Sequence, residues 1–393
     1  MSRHSNRKLL LGVAGLGRAF SLMLPTFARD PRVHLVAGAD LRPEARQRFV
    51  ADFGGRSYGS VEALCADPDI DVIYVATPHK HHAEHARLAA QFGKNVLVEK
   101  PMALNLEEAA SMIEAARRAG VHLLVGHSHS FDTPILRTRD HIASGVFGRV
   151  RMITALNFTD FLYRPRVQED LDPARGGGAL FNQAPHQIDI VRLLGGGRVK
   201  SVRARTGAWD PTRATEGAYS ALLMFEDGAF ASLTYSGFGH FDSDEFEHWI
   251  SEMGRRKARQ SRAAPRRFAD PKEEAAFKAA HNYGGSQWRS STAKHLAHQH
   301  FGTVVVSCER ADLRPTPTGV MIYEHGRARL DPLPPPRIPR AEVIDELYDV
   351  VVRACTPLHD GAWGMATLEV CLAMVRSARE GQEIALENQG GLR

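Results

Sequence analysis

Apolar and polar positions alternate in blocks along the first third of the chain. Residues 9–14 form a continuous apolar run, as expected for a strand buried on both faces of a parallel sheet. A glycine turn follows, and residues 18–28 read as a helix. The runs 33–39, 70–76, 95–98 and 121–125 predict further strands. Residues 43–53, 61–66, 81–92 and 106–119 predict helices between them, with Pro43 and Glu44 making a good helix opening. Strands alternating with helices imply right-handed crossovers and a doubly wound sheet, ending near Gly126.

Beyond that point the texture changes. Residues 149–158, 199–206, 219–225 and 229–235 read as strands, and 179–194 as one helix. Glu226-Asp227-Gly228 is a hairpin turn signal between two of the strands. The expected fold is α/β: an N-terminal Rossmann doubly wound parallel sheet plus a C-terminal α+β domain with a large, mostly antiparallel open sheet. The expected domains are 1–127 and 128–393, with late helices at 341–352 and 363–380, the second closing the chain. Residues 1–8 are basic and precede an apolar run. That run is too short for a secretory signal and no small-residue cleavage site follows, so a soluble cytoplasmic protein is expected.

The ends of the predicted strands carry the chemistry. Gly15-x-Gly17 follows the first strand and opens a helix. The first glycine permits the tight turn, the second lets backbone approach a pyrophosphate, and the helix N-terminus, beginning at Arg18, favours the phosphates. Phe20 stands where the fingerprint calls for a third small residue. Asp40 ends the second strand, where an acid can bind ribose hydroxyls, which favours NAD. Arg42 can meet a 2′-phosphate, so NADP stays open. At the end of the fourth predicted strand, Lys100 can hydrogen-bond a substrate hydroxyl and stabilise an oxyanion as hydride leaves.

Composition changes this picture little. The chain has 393 residues, 43% hydrophobic and 24% charged, which excludes collagen-like, disulfide-scaffold and mostly disordered classes. Four cysteines show no CxxC spacing, consistent with reduced thiols and no zinc motif. The net charge of +5 raises nucleic-acid binding as a question. Between 247 and 300, however, eleven basic residues face five acidic ones, so one polar insertion carries the whole excess. A nucleic-acid face needs organised charge, and none is expected here. That insertion either draws an anionic substrate or is a solvated loop. Nineteen histidines invite a metal reading, yet His295-x-x-His298-x-His300 lacks an accompanying acid or thiol, and no metal is expected.

Gly15-Leu16-Gly17, Val75-Ala76-Thr77-Pro78 with His82, Glu99-Lys100-Pro101, and Gly176-Gly177-Gly178 followed by His186-x-x-Asp189 together resemble the Gfo/Idh/MocA family of NAD(P)-dependent oxidoreductases. The resemblance implies that Gly15, Gly17, Arg18, Asp40, Thr77, Pro78, His82 and Glu99 face the cofactor. It implies Lys100 beside the reacting carbon, and a second domain that often mediates oligomers, here a homodimer or homotetramer. His186 matches the family's histidine and is the candidate acid/base, with Asp189 orienting its ring or pairing elsewhere. Asn182 stands where the family commonly has an acid, and His127 lies where the pocket wall differs. Both departures point away from a standard aldose or inositol substrate.

Tyr163, Arg164 and Arg166, with aromatic neighbours, suit a planar carboxylated ring, because arginine binds carboxylate in bidentate fashion. With Phe181–His186 and Gly239–Phe246 they resemble a branch of the family that oxidises phthalate 4,5-cis-dihydrodiol to 4,5-dihydroxyphthalate. A sugar or cyclitol dehydrogenase and a non-catalytic cofactor sensor are the alternatives. The sensor is disfavoured by Lys100 and His186, which it need not keep.

Overall fold

The computed structural model describes residues 7–259, 268, 270–289 and 297–391, and the structural statements below concern these residues. The chain divides into two compact units. The first comprises Met1–His127, Lys272–Thr292 and Arg340–Leu368; the second comprises Ser128–Pro271, Ala293–Pro339 and Glu369–Arg393. The expected boundary after residue 127 lies at the division. The expected assignment of everything beyond it to one domain is corrected, since two later segments return to the first unit. Apolar anchors explain the return. Tyr283 is fully buried, with its ring edge-on to Phe20 at 5.0 Å. The helix Ala341–Arg353 buries Val343, Ile344, Leu347 and Val350 along one face, and its Tyr348 hydroxyl donates to Arg7 O at 3.0 Å.

The first unit holds a parallel sheet. Its strands are β1 (Leu9–Ala14), β2 (Val33–Ala39), β3 (Arg56–Tyr58), β4 (Val72–Val75), β5 (Asn95–Val98) and β6 (Leu123–Val125), in the order β3-β2-β1-β4-β5-β6. The connections reverse direction between β1 and β4. At such a switch point the carboxyl ends of neighbouring strands leave a crevice where ligands bind. β4 is buried at all four positions, as continuous apolar strands require.

The second unit holds a nine-stranded sheet. Its strands are β7 (Val150–Phe158), β8 (Val199–Gly207), β9 (Ala218–Phe225), β10 (Phe230–Ser236), β11 (Thr303–Cys308), β12 (Asp312–Thr316), β13 (Gly319–Glu324), β14 (Arg327–Pro332) and β15 (Ile384–Ala385). They run in the order β14-β13-β12-β11-β7-β10-β9-β8-β15. β7 and β10 pair in parallel; the other pairs are antiparallel. The helix expected over 179–194 is two helices, Gly178–Asn182 and Ala184–Leu194. Pro185 causes the break: it lacks an N–H and its ring would clash with the carbonyl four residues back, so it sits in the first turn of a new helix. No described helix is long and apolar enough to cross a membrane.

Candidate functional site

In the first unit, the turn after β1 is built for a close backbone approach. Gly15 has φ +93°, and a Cβ there would lie 2.7 Å from Ala76 O. Only glycine meets both demands without strain. Gly17 caps the helix Arg18–Phe27 without a side-chain bond, and a Cβ built on it meets nothing within 4 Å. The helix start therefore turns its first N–H groups toward an open surface, which fits a pyrophosphate. Arg18 is the first helical residue and is exposed.

Asp40 reaches back to this turn. The Leu16 N–H donates to Asp40 Oδ2 at 2.8 Å, and Arg42 donates from its backbone N–H and Nε to Oδ1, at 2.9 and 3.1 Å. Phe20, at the third fingerprint position, is buried against Phe49 at 6.3 Å between ring centroids and against Tyr283. Gly38 makes room for this cluster, since a Cβ there would lie 3.0 Å from the Phe49 ring. The bulky residue is accommodated by removing a side chain from β2.

The loops after β4 and β5 are strapped together by His82. Its ring nitrogens lie 2.8 Å from Pro101 O and 2.8 Å from Thr77 O. Burial pushes its imidazole down to about 4, against the two carbonyls, so the neutral ring donates to one of them at a time. The Thr77 hydroxyl lies 2.9 Å from His85 Nδ1, and Pro78 precedes the turn His79–His81. Glu99 is buried beneath this loop. Burial raises its carboxyl above the usual range, against the pull of Lys100, the Tyr74 hydroxyl donating at 2.6 Å, Arg340 and the His127 N–H. Lys100 follows Glu99 in the loop after β5, and the charge it carries is felt by both Glu99 and His82. His127 is buried at the end of the unit.

In the second unit, His186 lies in the first turn of the helix Ala184–Leu194 and is 7% exposed. Its ring centroid lies 4.8 Å from that of His129, edge to face, and 4.9 Å from that of Phe301. His129 is the group the sequence reading missed. Its Nδ1 lies 2.6 Å from Asp132 Oδ2 and its Nε2 lies 3.6 Å from Glu252 Oε1. Burial alone would lower this imidazole, but the two carboxylates outweigh it and hold His129 above its ordinary range. Glu252 is correspondingly held below its own, despite burial, by His129, Arg164 and His300. An imidazole held toward its protonated form by two carboxylates thus lies against the candidate acid/base. Asp189 accepts from the Ser130 hydroxyl at 2.5 Å. The spacing of His129 and Asp132 was a usable local signal; Glu252 was not, being far away in sequence.

The other expected substrate residues lie in the same unit. Arg164 Nε donates to Asp160 Oδ1 at 2.9 Å, and its Nη2 lies 3.8 Å from Glu252 Oε2. Arg166 lies over the Phe161 ring, 3.8 Å from its centroid, with Nη2 donating to Phe161 O at 2.6 Å. Tyr163 is half-buried against Leu162, Ala218 and Phe238. The Asn182 amide donates to Gly178 O at 2.9 Å and Gly176 O at 3.2 Å, so it orders the glycine triplet. The Asp242–Glu245 group forms a capped turn, in which Asp242 accepts from the Asp244 N–H and Lys257 bridges both carboxylates. His298 and His300 turn to the carbonyls of Pro334 and Ile250, each at a distance suited to a hydrogen bond. His295 lies outside the described residues, as do Arg262, Arg266, Arg267 and Lys294 of the basic insertion and residues 1–6.

Known proteins share this architecture. A profile described as an oxidoreductase family with an NAD-binding Rossmann fold, GFO_IDH_MocA, matches residues 9–127, and the C-terminal domain profile of that family matches 135–251. The chain belongs to the Gfo/Idh/MocA family. This Gfo/Idh/MocA member is an NAD-binding oxidoreductase, a dehydrogenase. It is 46% identical, over 94% of both chains, to 1-carboxy-3-chloro-3,4-dihydroxycyclohexa-1,5-diene dehydrogenase of Comamonas testosteroni. It is 40% identical to a protein of Bordetella bronchiseptica RB50 whose crystal structure carries a dehydrogenase assignment, with TM-score 0.90 over 96% of this chain and all of that one. The WlbA dehydrogenase of Bordetella pertussis, solved with NADH and UDP-GlcNAcA, is 25% identical with TM-score 0.70, covering 97% of this chain and 99% of that one.

Proposed function

We propose that this dehydrogenase oxidises a dihydrodiol of a carboxylated cyclohexadiene to the corresponding catechol, with cis-4,5-dihydroxy-4,5-dihydrophthalate as the favoured substrate. The observation that carries the reading is the near-full-length similarity to an enzyme named for a carboxylated dihydroxycyclohexadiene. Arg164, and Arg166 lying over Phe161, support it, since a guanidinium pair beside an aromatic ring suits a planar carboxylate.

Bound NAD+ supplies the hydride acceptor. The chain's own groups manage the proton. His186 removes it from the substrate hydroxyl, and the Lys100 ammonium stabilises the alkoxide as hydride leaves the adjacent carbon. The product ketone tautomerises to an aromatic ring. That driving force lets the site work with Asn182 where related enzymes have an acid. Gly15, Gly17, Arg18, Asp40, Thr77, Pro78, His82 and Glu99 form or support the cofactor side; Asn182, Tyr163, Arg164, Arg166 and His127 form the substrate side. The protein assembles as a homodimer or homotetramer through the sheet face that exposes Met152, Leu222 and Phe230.

Purified protein is mixed with NAD+ and either the phthalate dihydrodiol or its monocarboxylated analogue, and NADH absorbance is followed. Reduction with the dicarboxylate supports the full reading, and reduction with the analogue alone keeps the class and replaces the substrate. No reduction with either across pH 6–10, while myo-inositol or an aldose reacts, overturns it.

A further inference from the structure

The insertion after residue 247 sends one segment back to the dinucleotide side of the first unit. Tyr283 and Gly284 seat on the helix Pro43–Phe53, which follows β2. The Tyr283 hydroxyl donates to Asp52 Oδ2 at 2.8 Å, and its ring packs on Phe20 and on Trp288, the latter at 4.9 Å between centroids. Trp288 in turn carries the Arg48 guanidinium 5.1 Å over its ring. Gly284 has φ +80°, and a Cβ there would lie 2.5 Å from Ala45 Cα, so the backbones are in near contact.

This seating reaches Arg42, a residue suited to read a 2′-phosphate. Arg42 Nη1 donates to Tyr283 O at 3.2 Å, and Nη2 donates to Leu16 O at 2.9 Å and to Asp40 Oδ2 at 3.2 Å. With Nε on Asp40 Oδ1, four of the five guanidinium N–H groups are engaged. Leu16 and Tyr283 are both fully buried. If Arg42 turned outward, their carbonyls would lose a donor in a place water reaches poorly. Each such loss costs roughly tenfold in an equilibrium.

We propose that the returning segment is a cofactor-specificity clamp: Tyr283 holds the Arg42 guanidinium onto Asp40 and Leu16, which withholds it from a 2′-phosphate and makes the protein prefer NAD over NADP. The clamp rests on the dinucleotide site alone and is independent of the proposed substrate. It also gives the insertion a function that its net charge does not suggest.

The test is equilibrium binding of NAD+ and NADP+ by titration calorimetry, which needs no substrate and no turnover. Tyr283→Ala removes the ring and the bond to Asp52 that seat this backbone, and so draws the residue 283 carbonyl away from Arg42. The affinity ratio of NADP+ to NAD+ rises about tenfold or more in this variant. In an Arg42→Ala background the same substitution leaves the ratio unchanged, because the released group is gone. Tyr283→Phe, which loses only the hydroxyl bond, serves if Tyr283→Ala does not fold, and shifts the ratio about threefold in the same direction. An unchanged ratio in a folded Tyr283 variant overturns the proposal. So does a rise of equal size with Arg42 absent.

Discussion

In the first unit, the candidate groups stand at the carboxyl ends of parallel strands. Gly15 follows β1, Asp40 follows β2, Thr77 and Pro78 follow β4, and Glu99 and Lys100 follow β5. In the second unit the corresponding chemistry comes from pieces far apart in sequence. His129 and Asp132 share one turn, His186 comes from a helix after a glycine triplet, and Glu252 comes from the segment beyond β10. The parallel sheet delivers functional groups to one edge by its topology, so each needs only its own strand. The antiparallel unit has no such edge, and holds its groups by charge pairing instead. The second arrangement couples its groups through shared charges.

Four measurements test that contrast. The largest effect is expected from His186→Asn and Lys100→Ala, each lowering kcat about a thousandfold while the Kd for NAD+ stays within about threefold. Equal loss of cofactor affinity would show these residues to be structural.

Next comes His129→Gln. It removes the imidazole that the Asp132 and Glu252 carboxylates both face and should cost about 3 kcal/mol, read as a lower Tm and earlier urea unfolding. The pH dependence has a definite sign. His129 is raised in the folded state, so its contribution is complete below about pH 6.5 and is lost as pH rises through the raised value. Glu252 is lowered, so its contribution is complete above about pH 4.3 and is lost as pH falls through the lowered value. The stability gap between the parent and His129→Gln should therefore be widest near pH 5–6 and narrow toward alkaline pH. A gap independent of pH would reduce the network to packing.

Asp40→Ala should weaken NAD+ about tenfold, with a change in Tm smaller than that of His129→Gln. A stability loss as large as that of His129→Gln would erase the contrast between the units. The smallest effect is expected from Arg166→Ala: KM for the carboxylated diene rises about fivefold, with kcat nearly unchanged, since its guanidinium also rests on Phe161 and on a backbone carbonyl. A change confined to kcat would move Arg166 from binding to chemistry.

How far the chain could be read depended on distance along it. The glycine turn, Asp40 and Lys100 each belong to one strand and the loop after it, so their placement follows from a local pattern. The strand β11 also carries a local signal, Val304-Val305-Val306. β12 and β14 are harder, since Pro315 interrupts the first and the second is almost wholly exposed. Phe20 reads as a defect in a fingerprint until Phe49, Gly38 and Tyr283 are seen around it.

The sequence by itself determined the doubly wound sheet, the dinucleotide turn and the family, because buried parallel strands must be apolar throughout and a phosphate turn needs glycine where no side chain fits. Tertiary structure alone decided the return of Lys272–Thr292 and Arg340–Leu368, the bond from Arg42 to the Tyr283 carbonyl, and the His129 imidazole held between Asp132 and Glu252 beside His186. Charge pairs and ring contacts across a hundred residues or more leave no period in the chain. They are settled only when burial removes water and each buried polar group must find a partner in the fold.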